Sequence, residues 1–97
     1  MKTIKKVEIE PVFIDGFLPD YKSMEEGKLY ISEEYGTIIH RCLCGCGEKT
    51  VLPIHPIHGW NLIKENNDKI SLTPSVGNYQ LPCQSHYIIT NNVANFV

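Results

Sequence analysis

The sequence contains no run of 18 apolar residues, which excludes a membrane-spanning helix of ordinary length. It also lacks a basic excess: 9 Lys and Arg stand against 11 Asp and Glu, for a net charge of −2. Nucleic-acid domains draw most of their affinity from phosphate contacts and carry a clear positive surplus. Neither a nucleic acid nor a membrane is therefore expected as a partner. Lys2, Lys5 and Lys6 read as a solvated strand face. Charges in this segment also break up any apolar stretch of the signal-peptide kind, so the expected location is cytoplasmic. No internal repeat, low-complexity segment or linker divides the chain, and no periodic segment is long enough for a helix of three turns.

What is present is a chain of 97 residues with 42% apolar content, enough for one folded domain over residues 1–97 but with a small core. A core of that size usually needs a disulfide, a metal or a partner subunit as a staple. The chain reads as mostly β, a small antiparallel fold with long loops. Residues 4 to 9 alternate loosely through Ile4, Val7 and Ile9 and stop at Pro11. Gly16, Pro19, Asp20 and Gly27 mark a loop, with one helical turn at most from Tyr21 to Glu26. Strands are expected at Lys28 to Ser32, Tyr35 to Cys42 and Lys49 to Leu52. A hairpin follows from Trp60 to Leu72 around Glu65 to Asp68, and Thr73 to Gln80 reads as loop. A second hairpin pairs Tyr87 to Thr90 with Val93 to Val97 around Asn91 and Asn92, since asparagine tolerates the positive φ of tight turns.

All four cysteines fall in two places, Cys42-Leu43-Cys44-Gly45-Cys46-Gly47 and Pro82-Cys83-Gln84-Ser85-His86. Two short ligand turns separated by strands are the usual plan of a small zinc domain, because zinc accepts four tetrahedral sulfur or nitrogen ligands. Gly45 and Gly47 permit the tight backbone, and their amides are suited to bond the sulfurs. Disulfides would need an oxidising compartment that nothing here indicates. Cys42, Cys44, Cys46, Cys83 and His86 thus make five candidate zinc ligands for four places, with Cys44, Cys46 and Cys83 the firmest. His40 is a weaker sixth. The histidines of His55-Pro56-Ile57-His58 are three apart, but the proline forbids a regular helix, so a helical zinc motif is not expected there. Trp60 reads as a core residue.

Several motifs together resemble domain-of-unknown-function family 6527 over roughly residues 24 to 95. They are Glu26-Gly27-Lys28-Leu29-Tyr30-Ile31-Ser32, His40-Arg41-Cys42-Leu43-Cys44-Gly45-Cys46-Gly47, Trp60, Ser71-Leu72-Thr73-Pro74-Ser75-Val76-Gly77-Asn78 and Pro82-Cys83-Gln84-Ser85-His86-Tyr87. The resemblance implies a companion of bacterial ubiquitin-like conjugation systems, some of whose members are thought to be peptidases. It implies as partners a ubiquitin-like protein or its activating and conjugating enzymes.

Two functions from different classes follow. The first is a zinc-dependent peptidase that processes or releases a ubiquitin-like C-terminus. Its zinc would keep one position open for water, with Glu26, or else Glu48, as general base. Within this class Ser75 is a candidate hydroxyl nucleophile in its turn-rich loop, and Ser85 adjoins His86, although no acid completes a triad from sequence. Thiolates donate much charge to zinc, which counts against a catalytic site built from three sulfurs. The second function is a non-catalytic module. Its zinc would be fully ligated, and it would bind the ubiquitin-like protein or its conjugating enzyme, with Val93 to Val97 as a sheet edge for an added strand.

Overall fold

The computed structural model describes residues 6–97. Ile4, Lys2 and Lys5, which belong to the first expected strand and its charged face, lie outside the described residues. Nine strands run among the described residues: β1 (Lys6–Glu8), β2 (Glu10–Phe13), β3 (Lys28–Ser32), β4 (Thr37–Arg41), β5 (Lys49–Pro53), β6 (Asn61–Lys64), β7 (Ile70–Gly77), β8 (His86–Thr90) and β9 (Val93–Phe96). Helix among them is confined to 3-10 turns at Tyr21–Ser23 and Asn66–Asp68. None of the described helices is long and apolar enough to cross a membrane. The expected mostly β architecture is the one observed.

The strands form a five-stranded sheet, ordered β1-β9-β8-β7-β6, and a four-stranded sheet, ordered β2-β3-β4-β5. Every pair within them is antiparallel apart from β2 with β3. The chain changes sheets at Ile9, which is buried and donates its N–H to the Asn92 carbonyl at 2.8 Å. Pro11, expected to end the first strand, instead lies inside β2. An edge strand with one neighbour accommodates a residue that cannot donate to a second. The two sheets share one core: Leu29, Ile31, Ile38 and Leu52 from one meet Ile70, Leu72, Val76, Tyr87, Ile89 and Ala94 from the other.

Two further differences from the sequence reading bear on function. Thr73 to Gly77, expected as loop, continues β7. Leu72 pairs with Ile89 and Val76 with Tyr87, so Thr73, Pro74 and Ser75 occupy the stretch opposite Ile88 alone. In such a bulge a proline removes no ladder bond, and the extra residues re-aim the neighbouring side chains. β9, expected to offer a sheet edge, is flanked by β1 and β8 and has no open side. The Asn91-Asn92 turn is as expected, with φ of +48° and +63° at its two residues, the signature of a tight hairpin turn.

Candidate functional site

The first constellation is built by the β4–β5 connection. After Cys42 the chain makes a turn closed by Cys42 N–H to Glu48 O (2.7 Å) and Gly45 N–H to Cys42 O (3.1 Å). Gly45 and Gly47 have φ of +94° and +83°, which a side chain would strain. The Cys46 amide donates to Cys44 Sγ at 3.3 Å. Arg41 braces the turn from β4. Its Nε donates to Met24 O (2.8 Å) and its guanidinium lies 4.7 Å over the Tyr21 ring, while the Tyr21 hydroxyl donates to Gly47 O.

Cys83 comes from the loop before β8 and completes a group of four, Cys42, Cys44, Cys46 and Cys83, whose Sγ atoms all lie within 4.8 Å of one another. Cys42 is 3.4 Å from Cys44 and 3.7 Å from Cys83, and Cys46 is 3.7 Å from Cys83, all sulfur to sulfur. No disulfide joins them. Sulfurs bound to one tetrahedral zinc at about 2.3 Å stand about 3.8 Å apart, so the donor set fits that ion. The thiols differ in acidity. Hydrogen bonding with Ser85 brings Cys83 down to about 6, whereas burial pushes Cys44 up to about 12. A cation at their centre would favour the thiolate of each.

Behind the sulfurs runs a buried polar chain. Asn78 Nδ2 donates to Cys42 Sγ (3.4 Å), Ser85 Oγ (3.2 Å) and the Tyr87 hydroxyl (3.2 Å), and Thr50 Oγ1 donates to Asn78 Oδ1 at 3.3 Å. The Tyr87 hydroxyl is 2.7 Å from His40 Nε2. His40 is fully buried and its Nδ1 has no partner among the described residues. Burial lowers its pKa to about 4, so the ring is neutral.

The second constellation lies where β7 and β8 meet. His86, a candidate zinc ligand by sequence, is not in the sulfur group. Its Nε2 is 2.6 Å from Ser75 Oγ, and its Nδ1 is 2.9 Å from the Tyr79 hydroxyl. Gly77 pairs with His86 across the two strands, and the bulge turns Ser75 toward the same imidazole. Ser75 is held from the other side by Trp60, whose indole N–H donates to Ser75 O at 3.3 Å. Histidine, a partly buried serine hydroxyl and a third group on the far ring nitrogen make the arrangement of an activated hydroxyl nucleophile. Tyr79 and Asn78 were missed by sequence reasoning. Reading Thr73 to Gly77 as loop hid the pairing of Gly77 with His86, which sets His86 beside the turn that carries Tyr79.

The remaining candidates are dispersed. Glu26 is exposed and lines a cavity of about 330 Å³ beside Gly27, Cys42 and Leu43. The Glu48 carbonyl serves the sulfur turn and its residue is exposed. Ser85 is buried against the sulfurs, 3.0 Å from Cys42 Sγ, and not at the catalytic-like pair. His55 and His58 stack on each other, exposed, with ring centroids 5.1 Å apart. Trp60 packs against the core, as expected.

A β fold with a serine–histidine contact between β7 and β8, and with a cluster of four cysteines able to hold a metal ion, is the class of protein these observations define. The chain belongs to the family described as bacterial ubiquitination-like system serine protease (BubE), whose model matches residues 15–97. The bacterial ubiquitin-like setting implied by the resemblance agrees with this family, while its number, 6527, does not appear in the description that matches. No curated protein and no solved structure matches the chain significantly.

Proposed function

We propose that this protein is a serine peptidase of a bacterial ubiquitination-like system, acting on the C-terminus of a ubiquitin-like protein. Ser75 is the nucleophile, His86 its general base, and the four cysteines hold a structural zinc. The observation that carries this reading is the 2.6 Å contact between His86 Nε2 and Ser75 Oγ, with Tyr79 on Nδ1 at 2.9 Å. The family description supports the reaction class.

The residues divide the work as follows. His86 Nε2 takes the Ser75 proton as Oγ attacks the scissile carbonyl, then returns it to the departing amine. The acyl group left on Ser75 is released by a water that the same imidazole deprotonates. Tyr79 fixes the ring so that Nε2 keeps facing Oγ. A bound zinc supplies no reaction step in this reading and ties the 42–47 turn to Cys83. Four thiolates fill a tetrahedron and leave no position for a reactive water, which favours this over the zinc-dependent peptidase with Glu26 as base.

The test is an active-site label together with a metal challenge. A fluorophosphonate probe is expected to add to Ser75, identified by peptide mass, and cleavage of a ubiquitin-like precursor is expected to vanish in Ser75→Ala. Cleavage that survives Ser75→Ala and is lost in Glu26→Gln or on chelation, with the fold intact, would return the chemistry to the metal.

A further inference from the structure

A cavity of about 240 Å³ lies between the two sheets, lined by Val51, Leu52, Trp60, Gly77, Asn78 and Leu81 among others. Its walls are two strand edges. β5 is the outer strand of its sheet, paired with β4 alone. In an antiparallel pair, residues that exchange main-chain hydrogen bonds alternate with residues that do not. Cys42 with Glu48 and Ile54 with Gly36 are bonded across β4 and β5, at 2.7 and 2.8 Å. On the observed register the bonded set therefore passes through Thr50 and Leu52, and Lys49, Val51 and Pro53 turn their main-chain groups outward. The Pro53 carbonyl is taken by the Trp60 N–H at 2.8 Å. Beyond this cap the N–H and C=O of Val51 face the cavity, without a partner among the described residues.

The opposite wall follows the same logic. Asn78 N–H donates to Ser85 O at 2.8 Å, so the bonded positions of β7 with β8 are Asn78 and Val76. Gly77 lies between them and turns its N–H and C=O away from β8. β6 does not cover it, since the β6–β7 pairing ends at Asn61 with Thr73. The outward main-chain groups of Val51 on β5 and of Gly77 on β7 thus face one cavity, and Gly77 is two residues from Ser75 on the same strand.

We infer that this cavity takes an extended peptide main chain as an added strand between β5 and β7, which delivers the bond to be cut to Ser75. This rests on the proposed serine chemistry for its purpose but not for its geometry. The occupant is main chain because hydrogen-bonding edges form the walls, with no charged cluster between them. A peptide residue bonded to Val51 would have a neighbour bonded to Gly77, since successive residues of a strand point their amides to opposite sides.

The test uses the full chain carrying Ser75→Ala, so that a bound peptide stays whole. The probe is the C-terminal tail peptide of a bacterial ubiquitin-like protein, unmodified or N-methylated at one amide at a time. The Val51 and Gly77 amide resonances are expected to shift on titration. Methylation is expected to weaken binding about tenfold at the two adjacent amides that meet Gly77 and Val51, and little elsewhere. Val51→Pro removes an outward N–H and leaves the β4 ladder intact, so it should also weaken binding about tenfold. Methylation effects that are equal at every amide or that skip every second one, shifts confined elsewhere, or no binding would overturn the inference. If labelling of Ser75 fails while the adjacent pair of methylation effects appears, the serine chemistry falls and this binding mode stands. If labelling succeeds without that pair of effects, the binding mode alone falls.

Discussion

The imidazole of His86 reaches Ser75 across a strand bulge, Nε2 to Oγ at 2.6 Å, although the two residues are 11 apart in the chain. Neither side chain has use for the other in packing the core, which lies on the Val76 and Tyr87 face. Two residues that act as one unit lose activity together. Ser75→Ala and His86→Gln are each expected to lower kcat/KM for peptide hydrolysis by about a thousandfold, and the double variant by no more than the worse single one. Losses that multiply would mean that the two residues act independently.

Tyr79 supplies the far hydrogen bond of the pair. It is 62% exposed, so Tyr79→Phe is expected to change stability by less than about 0.5 kcal/mol. Losing the bond to Nδ1 frees the ring to turn, and kcat should fall about tenfold. Thermal unfolding and initial rates on the same preparation check both halves. An unchanged kcat would remove Tyr79 from the site.

The sulfur group makes a separate prediction about the fold. The purified protein should carry one zinc per chain, and Cys83→Ser should destabilise it by ~3 kcal/mol or more, because metal binding is coupled to folding. On titration with a chelator, fluorophosphonate labelling of Ser75 should decline in step with loss of folded protein seen by circular dichroism. Labelling that vanishes while the fold persists would give the metal a direct part in the reaction.

His40 sets a pH dependence of stability. Its folded pKa of about 4 lies below the usual value of 6.5, so below pH 6.5 the unfolded chain binds a proton that the folded chain refuses. Stability contributed by the neutral ring is complete above that pH, and it is lost as pH falls toward 4. The loss amounts to about 3 kcal/mol. A cation on Cys42, two residues along, would depress His40 further in the same direction. Imidazole proton resonances followed with pH should show the His40 ring taking up its proton only near pH 4. His40→Gln should flatten the acid limb of the stability curve.

Local chemistry made much of this legible in the sequence. Cysteines alternating with glycines allow few arrangements other than a sulfur turn, because positive φ at Gly45 and Gly47 and the short reach of Cys-x-Cys are properties of adjacent residues. The Asn91-Asn92 hairpin and the β3–β4 pair were readable for the same reason. Their partners lie within a few residues, and their side-chain alternation repeats every two. Cys83 joined the sulfur group by its chemistry alone, since a fourth thiol had no other evident use.

Tertiary structure decided which partner His86 takes. Beside Cys83 in the chain, it looked like a ligand, and only the strand register turns it from the sulfurs to Ser75. That register depends on a bulge at Thr73-Pro74-Ser75, where the proline that argued for a loop in fact sits within a strand without costing it a hydrogen bond. The order of strands was equally invisible. Whether β5 or β9 keeps an open edge depends on long-range pairing, and that is settled by how two sheets bury a common core, a property of the whole chain that no short window of residues contains.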